Sequence, residues 1–241
     1  MPHSPDKPKV VVITGSAGAL GTALVSEFSA QRWHVMAGTH KSSGLPVHES
    51  VWTMPLDVRS EEQIEKAFDQ VVQRWGSLDV LVNNAGITSD ASLWEMDETR
   101  FQDVVDVNLK GAFFCARAAM RRMIRQHEGH IVNISSFSGR CGARGQANYA
   151  AAKAGLFGLT ASLAQEAGSR NIRVNAVLPG ILKSRMTAEL RPEQMETYAR
   201  ANALNRINSV EEVARFVAFL VTMQNASGQI FQLDSRIGSW T

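Results

Sequence analysis

The chain has 241 residues, 44% of them hydrophobic and 20% charged, with a formal net charge of +2 at pH 7. That balance suits one sizeable α/β domain and excludes a disordered chain, while the near-neutral charge and the lack of a basic stripe name no nucleic-acid partner. Cys115 and Cys141 follow no disulfide or metal spacing, the six histidines are scattered, and no stretch approaches the ~20 apolar residues of a membrane span, so a metal-free, cytoplasmic protein is expected.

Residues 1–9 are polar and proline-rich and read as a flexible leader to a single domain over 10–241. Val10 to Thr14 is a β-branched run that ends in glycines and opens into a helical pattern, Ala19 to Gln31. The turn between them, Thr14-Gly15-Ser16-Ala17-Gly18-Ala19-Leu20-Gly21, stands where backbone N–H groups and a helix dipole can hold a pyrophosphate. It lacks the Gly-Lys-Ser/Thr ending of a nucleoside-triphosphate loop, so a dinucleotide remains. A second strand, Trp33 to Gly38, runs into Thr39-His40-Lys41. No carboxylate stands there to take the ribose hydroxyls of NAD, whereas Lys41 or a protonated His40 attracts a 2′-phosphate, which favours NADP(H).

After the polar His40 to Glu49, Val51 to Met54 resumes as a strand. Ser60 can cap a helix whose apolar face runs Ile64, Phe68, Val71, Val72 and Trp75. Then come the buried strand Val80-Leu81-Val82, one long helix from Thr99 to Arg125, the strand Ile131 to Ile134, a helix from Tyr149 to Ala167 and the strand Arg173 to Val177. Leu182 to Ala203 is helical but polar, interrupted at Pro192, and reads as a lid over the carboxyl edge of the sheet. Val213 to Val221 is a last amphipathic helix before the strand Gln229 to Leu233. This alternation predicts a doubly wound parallel sheet with helices on both faces.

Chemistry gathers on the penultimate long helix. Tyr149 stands four residues before Lys153, with Ser136 thirteen residues before the tyrosine and Asn108 further upstream. A phenol with pKa ~10 is a poor base at neutral pH, and a lysine one helical turn away favours the phenolate. A phenol, an ammonium and a hydroxyl can together manage a proton at a carbonyl carbon.

In combination these residues resemble the short-chain dehydrogenase/reductase family over essentially the whole chain, Val10 to Leu233. The match comprises the glycine turn, Leu56-Asp57-Val58, Asn83-Asn84-Ala85-Gly86, Asn108 within Val-Asn-Leu-Lys-Gly, Ser136, Tyr149-x-x-x-Lys153, and Pro179-Gly180 followed by Ser184. The resemblance implies a Rossmann-type sheet of about seven strands in the order 3-2-1-4-5-6-7 and a catalytic tetrad of Asn108, Ser136, Tyr149 and Lys153. It also implies hydride transfer between NADP(H) and a carbonyl or alcohol carbon. Tyr149 would donate the proton in reduction, Ser136 would hold the substrate oxygen, Lys153 would bind the nicotinamide ribose, and Asn108 would hold a relay water. Asp57 and Val58 would meet the adenine, Asn84 to Gly86 the adenosine ribose, and Pro179, Gly180, Leu182 and Ser184 the nicotinamide. Ser135 should face away, because side chains alternate along a strand.

The family's glycine pattern has Ala19 where a glycine is usual, which should alter turn packing slightly without abolishing binding. Asp234-Ser235-Arg236 stands where Asp-Gly-Gly is frequent. Gly145 to Gly155 looks most like the branch that reduces 3-oxoacyl thioesters on acyl carrier protein, with Cys141, Gln146 and Met186 shaping the substrate pocket. An acidic carrier protein would dock near Arg121, Arg122, Arg125 and Arg170. The family resemblance further implies a homotetramer through the two long helices, with Gly155, Gly158 and Ala161 allowing close packing. Two other readings compete: a reductase or dehydrogenase of another small ketone or alcohol, and a silent dinucleotide-binding subunit or sensor.

Overall fold

The computed structural model describes residues 7–40, 48–188 and 190–237, so most of the expected leader, residues 1–6, lies outside the described residues. Seven parallel strands form one sheet in the order β3-β2-β1-β4-β5-β6-β7. They are β1 Val10–Ile13, β2 His34–Thr39, β3 Val51–Pro55, β4 Val80–Asn83, β5 Gly129–Ile134, β6 Ile172–Leu178 and β7 Ile230–Gln232. Every residue of β1, β4, β5 and β6 is buried, as strands covered on both faces must be, whereas the edge strands β3 and β7 have partly exposed residues.

The main helices are α1 Ala19–Ala30, α2 Glu61–Trp75, α3 Glu98–Val105, α4 Gly111–Gln126, α5 Ser138–Cys141, α6 Ala147–Ala167, α7 Pro192–Arg200 and α8 Val210–Leu220. One core cluster packs α2, α4 and α6 on one face of the sheet around Phe68, Met123 and Ile131. The other packs α1 and α8 on the opposite face around Leu24, Phe28 and Val217. Fully burying such side chains contributes roughly 1.5–3 kcal/mol each. The Ser60 hydroxyl accepts a hydrogen bond from the Gln63 N–H at 3.3 Å, capping α2 as its sequence predicts.

Two expectations are corrected. The single helix expected over Thr99–Arg125 is α3 and α4 joined by a π-helical turn, Asp106–Lys110, whose one buried residue is Asn108. Such turns carry a wider backbone ring and recur at functional positions. Pro192 does not interrupt a helix but starts one, at the first position of α7, where the missing N–H has no intrahelical partner to lose.

Strand order reverses between β1 and β4, since β1 leads outward to β2 while the chain returns to β4 on its other side. A crevice therefore opens beyond the carboxyl ends of these strands, the position at which open α/β sheets bind ligands.

Candidate active site

The turn leaving β1 is shaped by close backbone approach. Gly15 has φ +65°, and a Cβ there would lie 2.7 Å from the Ala85 Cα; a Cβ on Gly21 would lie 2.4 Å from the Gly15 carbonyl oxygen. Gly18 is the N-cap of α1, with no side-chain cap and no acidic residue in the first turn. The result is a positively polarised helix start behind a surface of bare backbone, which fits a pyrophosphate. Ala17 and Gly18 are exposed on this rim, and Leu20 is buried beneath it. Ala19 is already helical and Gly18 is extended (φ −76°, ψ 163°), so neither position demands a glycine.

Ser16, expected to line the cofactor, also braces the turn. Its hydroxyl donates to the Ile13 carbonyl at 2.8 Å and its N–H to the Gly38 carbonyl at 3.0 Å, so both donors hold the turn itself. Asn84 likewise donates from Nδ2 to the Thr14 and Gly15 carbonyls at 3.0 and 3.1 Å, tying the segment after β4 to the turn. Thr39 is buried at the end of β2 and His40 is exposed, while Lys41 lies outside the described residues.

A carboxylate does approach this corner, which sequence adjacency could not reveal. His40 Nδ1 lies 3.8 Å from an Asp57 oxygen, and Arg59 forks onto the same carboxylate through Nε at 3.0 Å and Nη2 at 2.7 Å. The Arg59 hydrogen bonds hold the Asp57 carboxyl below the usual carboxylate range against the opposing effect of burial. Val58 is buried beside Gly111.

The proton-handling groups meet where β5, the π turn and α6 converge. Lys153 is buried, and its ammonium donates to the Ile134 carbonyl at 2.8 Å while lying 5.7 Å from the centre of the Tyr149 ring. Burial lowers its pKa to about 8. Asn108 is buried and doubly paired with Ile87, its Oδ1 accepting from the N–H at 2.8 Å and its Nδ2 donating to the carbonyl at 2.9 Å. Gly86 lies against both groups: a Cβ there would be 3.3 Å from the Asn108 Oδ1 and 3.5 Å from the Lys153 ammonium.

Ser136 and Ser135 alternate as expected. Ser135 is buried and donates to the Lys153 carbonyl at 2.8 Å, while the Ser136 hydroxyl is in hydrogen-bonding reach of the Tyr149 phenol. At that phenol the balance opposes the expectation drawn from spacing. Burial pushes its pKa up, Ser136 works in the other direction, and Asp90 adds to the rise, so the half-buried phenol keeps its proton.

Asp90 and Asn148 were not expected from sequence, and Gln146, expected to shape the substrate pocket, is found as a tether. Gln146 donates from Nε2 to Asp90 at 2.9 Å and accepts from the Ser138 hydroxyl at 3.2 Å, so it fastens the loop after β4 to the loop after β5. Asn148 is buried, donates to the Ser89 and Arg100 carbonyls at 3.0 and 3.1 Å, and accepts from the Tyr149 N–H. The position of Asn148 beside the tyrosine was legible; the partners, on a distant loop, were not. Around this centre Pro179 accepts from Asn208, Leu182 is buried, the Ser184 N–H donates to Thr187, Met186 is half exposed and Cys141 is exposed.

The expected basic docking face is corrected. Arg122 is buried, donating to Glu65 at 2.9 Å and Asp69 at 2.6 Å, and Arg121 pairs with Glu65 at 2.8 Å; only Arg125 and Arg170 stay exposed without a described partner. These pairs join α4 to α2. Arg122→Ala is therefore expected to cost about 1–3 kcal/mol of stability by removing a buried side chain and leaving the Ala118 carbonyl without its guanidinium partner, whereas Arg125→Glu should stay within about 0.5 kcal/mol. Urea unfolding of both variants checks this. Gly155, expected at a subunit contact, packs within the chain, since a Cβ there would lie 2.7 Å from Leu109; Gly158 is exposed.

Among the described residues no group of three or more metal-ligating side chains occurs, and no helix is long and apolar enough to cross a membrane.

Residues 9–195 match the family model described as short chain dehydrogenase. The chain is 40% identical over 238 residues to a 3-oxoacyl-[acyl-carrier-protein] reductase of Thermotoga maritima, covering 94% of this chain and 96% of that one. It is 40% identical over 221 residues to the reductase of the same name from Aquifex aeolicus, covering 88% and 89%. Among solved structures it is similar to ElxO with NADP bound, at 29% identity and a TM-score of 0.87 over 95% of this chain and 98% of the other.

Proposed function

The chain belongs to the short chain dehydrogenase family, and from that premise we propose that it is an NADP(H)-dependent oxidoreductase that reduces a 3-oxoacyl thioester, borne on acyl carrier protein, to the 3-hydroxyacyl thioester. The observation that carries this is the convergence of the Tyr149 phenol, the Ser136 hydroxyl and the Lys153 ammonium beside a bare-backbone cradle at the reversal point of the sheet. The relatives' shared name supports the substrate class.

The cradle from Gly15 to Gly21 would hold the cofactor's pyrophosphate, with Asn84 to Gly86 and Pro179 to Ser184 along the rest of its length. NADPH, when bound, supplies the hydride. Near the adenosine end Arg59 neutralises Asp57, so that carboxylate does not repel a 2′-phosphate, and His40 and Lys41 would attract one. Ser136 donates a hydrogen bond to the substrate carbonyl oxygen. As that oxygen gains charge, Tyr149 gives it the phenolic proton, leaving the hydroxyl product and a phenolate. Lys153 stabilises the phenolate and holds a ribose hydroxyl through donors other than the one engaged by Ile134. Asn108 would hold the relay water through its main-chain carbonyl in the π turn, its side chain being tied to Ile87 at both its oxygen and its nitrogen. Residues 182–203 close over the substrate, with Cys141, Gln146 and Met186 along its path. The exposed faces of α4 and α6 would join copies into the tetramer, and Arg125 and Arg170 are the cations left for a carrier protein.

NADPH oxidation measured with acetoacetyl thioesters beside a panel of free ketones tests the assignment. Turnover of the thioester supports it, and turnover of the ketones alone overturns it.

Two pH effects follow from Lys153. Its ammonium loses charge as pH rises through about 8, so kcat for reduction is expected to fall with an alkaline limb centred there. The phenol, held above its ordinary value, adds nothing to that limb. For stability the sign is opposite: between about 8 and the ordinary lysine value of 10.5 the unfolded chain holds this proton while the folded chain has released it, so this group adds stability as pH rises through that window. Melting curves of the parent and Lys153→Met across the window check the sign, the variant lacking the gain.

A further inference from the structure

Beyond β7 the chain makes a turn that touches the active-site crevice from outside. Asp234 is almost fully buried at its side chain, with 2% exposure, and it is paired with Arg236 through Nε at 2.6 Å and through Nη2. Gln232 locks the turn, donating from Nε2 to Asp234 and to the Arg236 carbonyl, each at 2.7 Å. The guanidinium carbon lies over Phe137, 3.7 Å from the ring centre, and Arg140 reaches back to Gln232 at 3.3 Å. Both contacts fall on the short segment that begins with Ser136. Ser235 faces the other way: its N–H donates to the buried Asn202 at 3.0 Å, its carbonyl accepts from Ala203 at 3.0 Å, and its hydroxyl accepts from Leu204 at 3.1 Å.

We infer that Arg236 is a positioning residue for the reductase: clamped by Asp234 and stacked on Phe137, it fixes the backbone that carries Ser136 and couples that segment to the far end of the 182–203 region. This rests on the proposed role of Ser136. The glycine turn contributes no group to this arrangement, and a change at Arg236 or Phe137 leaves Asp234 in place against Gly180, so cofactor affinity should not depend on the stack. The guanidinium is suited to the task in a way a lysine is not, because one plane both forks onto a carboxylate and covers an aromatic ring. Ser136 is one bond from the residue so covered, and small displacements of a group that orients substrate weigh heavily on rate.

The test uses the full chain with NADPH. Arg236→Lys keeps a cation for Asp234 but removes the stack; Phe137→Leu keeps the ion pair and removes the ring. Each is expected to lower kcat by about ten- to a hundredfold, while the NADPH dissociation constant, read by nucleotide fluorescence, stays within about twofold. Wild-type kcat in either variant overturns the inference. So does a loss of NADPH affinity that parallels the loss of rate, which is general loosening, and so does failure of both variants to fold, which assigns the stack to stability alone. If one variant fails to fold, the other decides. If the wild-type enzyme reduces a free ketone and not the thioester, the comparison is made on that ketone and only the substrate assignment fails. If it reduces nothing, the reading of Ser136 fails first and takes this inference with it.

Discussion

Tyr149→Phe is expected to lower kcat by about three orders of magnitude, the scale of losing a positioned general acid, while NADPH binds as before. The change removes one oxygen and leaves the ring, so packing at this half-buried position is kept. Ser136 loses a hydrogen-bonding neighbour but retains a contact with the Ser138 N–H at 3.2 Å. Neither the glycine turn nor Lys153 is hydrogen-bonded to the phenol; the ammonium donates to the Ile134 carbonyl instead. What disappears is the proton. Burial holds that proton on the phenol at neutral pH, which suits an acid rather than a base and so favours the reductive direction. Stopped-flow turnover beside a fluorescence titration separates the two quantities. Unchanged kcat would exclude Tyr149 as the acid, and lost NADPH binding would mean that the ring itself shapes the cofactor site.

Gly21→Ala is expected to weaken NADPH binding by about ten- to a hundredfold, because overpacking of about 1–3 kcal/mol falls on the cradle itself. Its new Cβ would lie 2.4 Å from the Gly15 carbonyl oxygen and 2.7 Å from the Ser16 Cα, and both are backbone atoms that cannot swing aside. Ser16 is fastened at its hydroxyl and its N–H, so the strain must open the turn or tilt α1. Ala19→Gly is the contrast. Ala19 is ordinary helix, so affinity should hold within about twofold, with up to about 1 kcal/mol of stability lost to helix propensity. Equal effects of the two changes on the dissociation constant would refute this account of the turn.

Much of this is legible in the order of the residues. The central strands announce themselves as continuous apolar runs, the Ser60 cap follows from residue type and position, and the separation of Ser135 from Ser136 follows from strand alternation. What stays hidden depends on residues far apart in sequence. Arg122 has the look of a surface cation in a basic helix end, and only the packing of α2 on α4 turns it inward onto Glu65 and Asp69. Asp90 acquires meaning only when Gln146 meets it. Hydropathy cannot show the π turn, because one extra residue in a helix shifts its apolar phase by less than the width of the buried stripe. The rise at Tyr149 is hidden for a similar reason: spacing shows the lysine but not how much water the fold removes.

Lys153 and Ser135 hold each other's elements from opposite directions, the ammonium onto the carbonyl that ends β5 and the serine hydroxyl onto the lysine's own carbonyl. The end of a strand and a turn of a helix are thereby one mechanical body. Separating the acid from the hydroxyl that orients substrate requires breaking two buried hydrogen bonds together, so amide protons around Ser135 and Lys153 should exchange with solvent deuterium only as slowly as the central sheet does, while those of α7, which has no buried residue, exchange early. The same body sets a boundary for redesign: any backbone change along 134–136 moves the Tyr149, Lys153 and Ser136 side chains relative to one another at once.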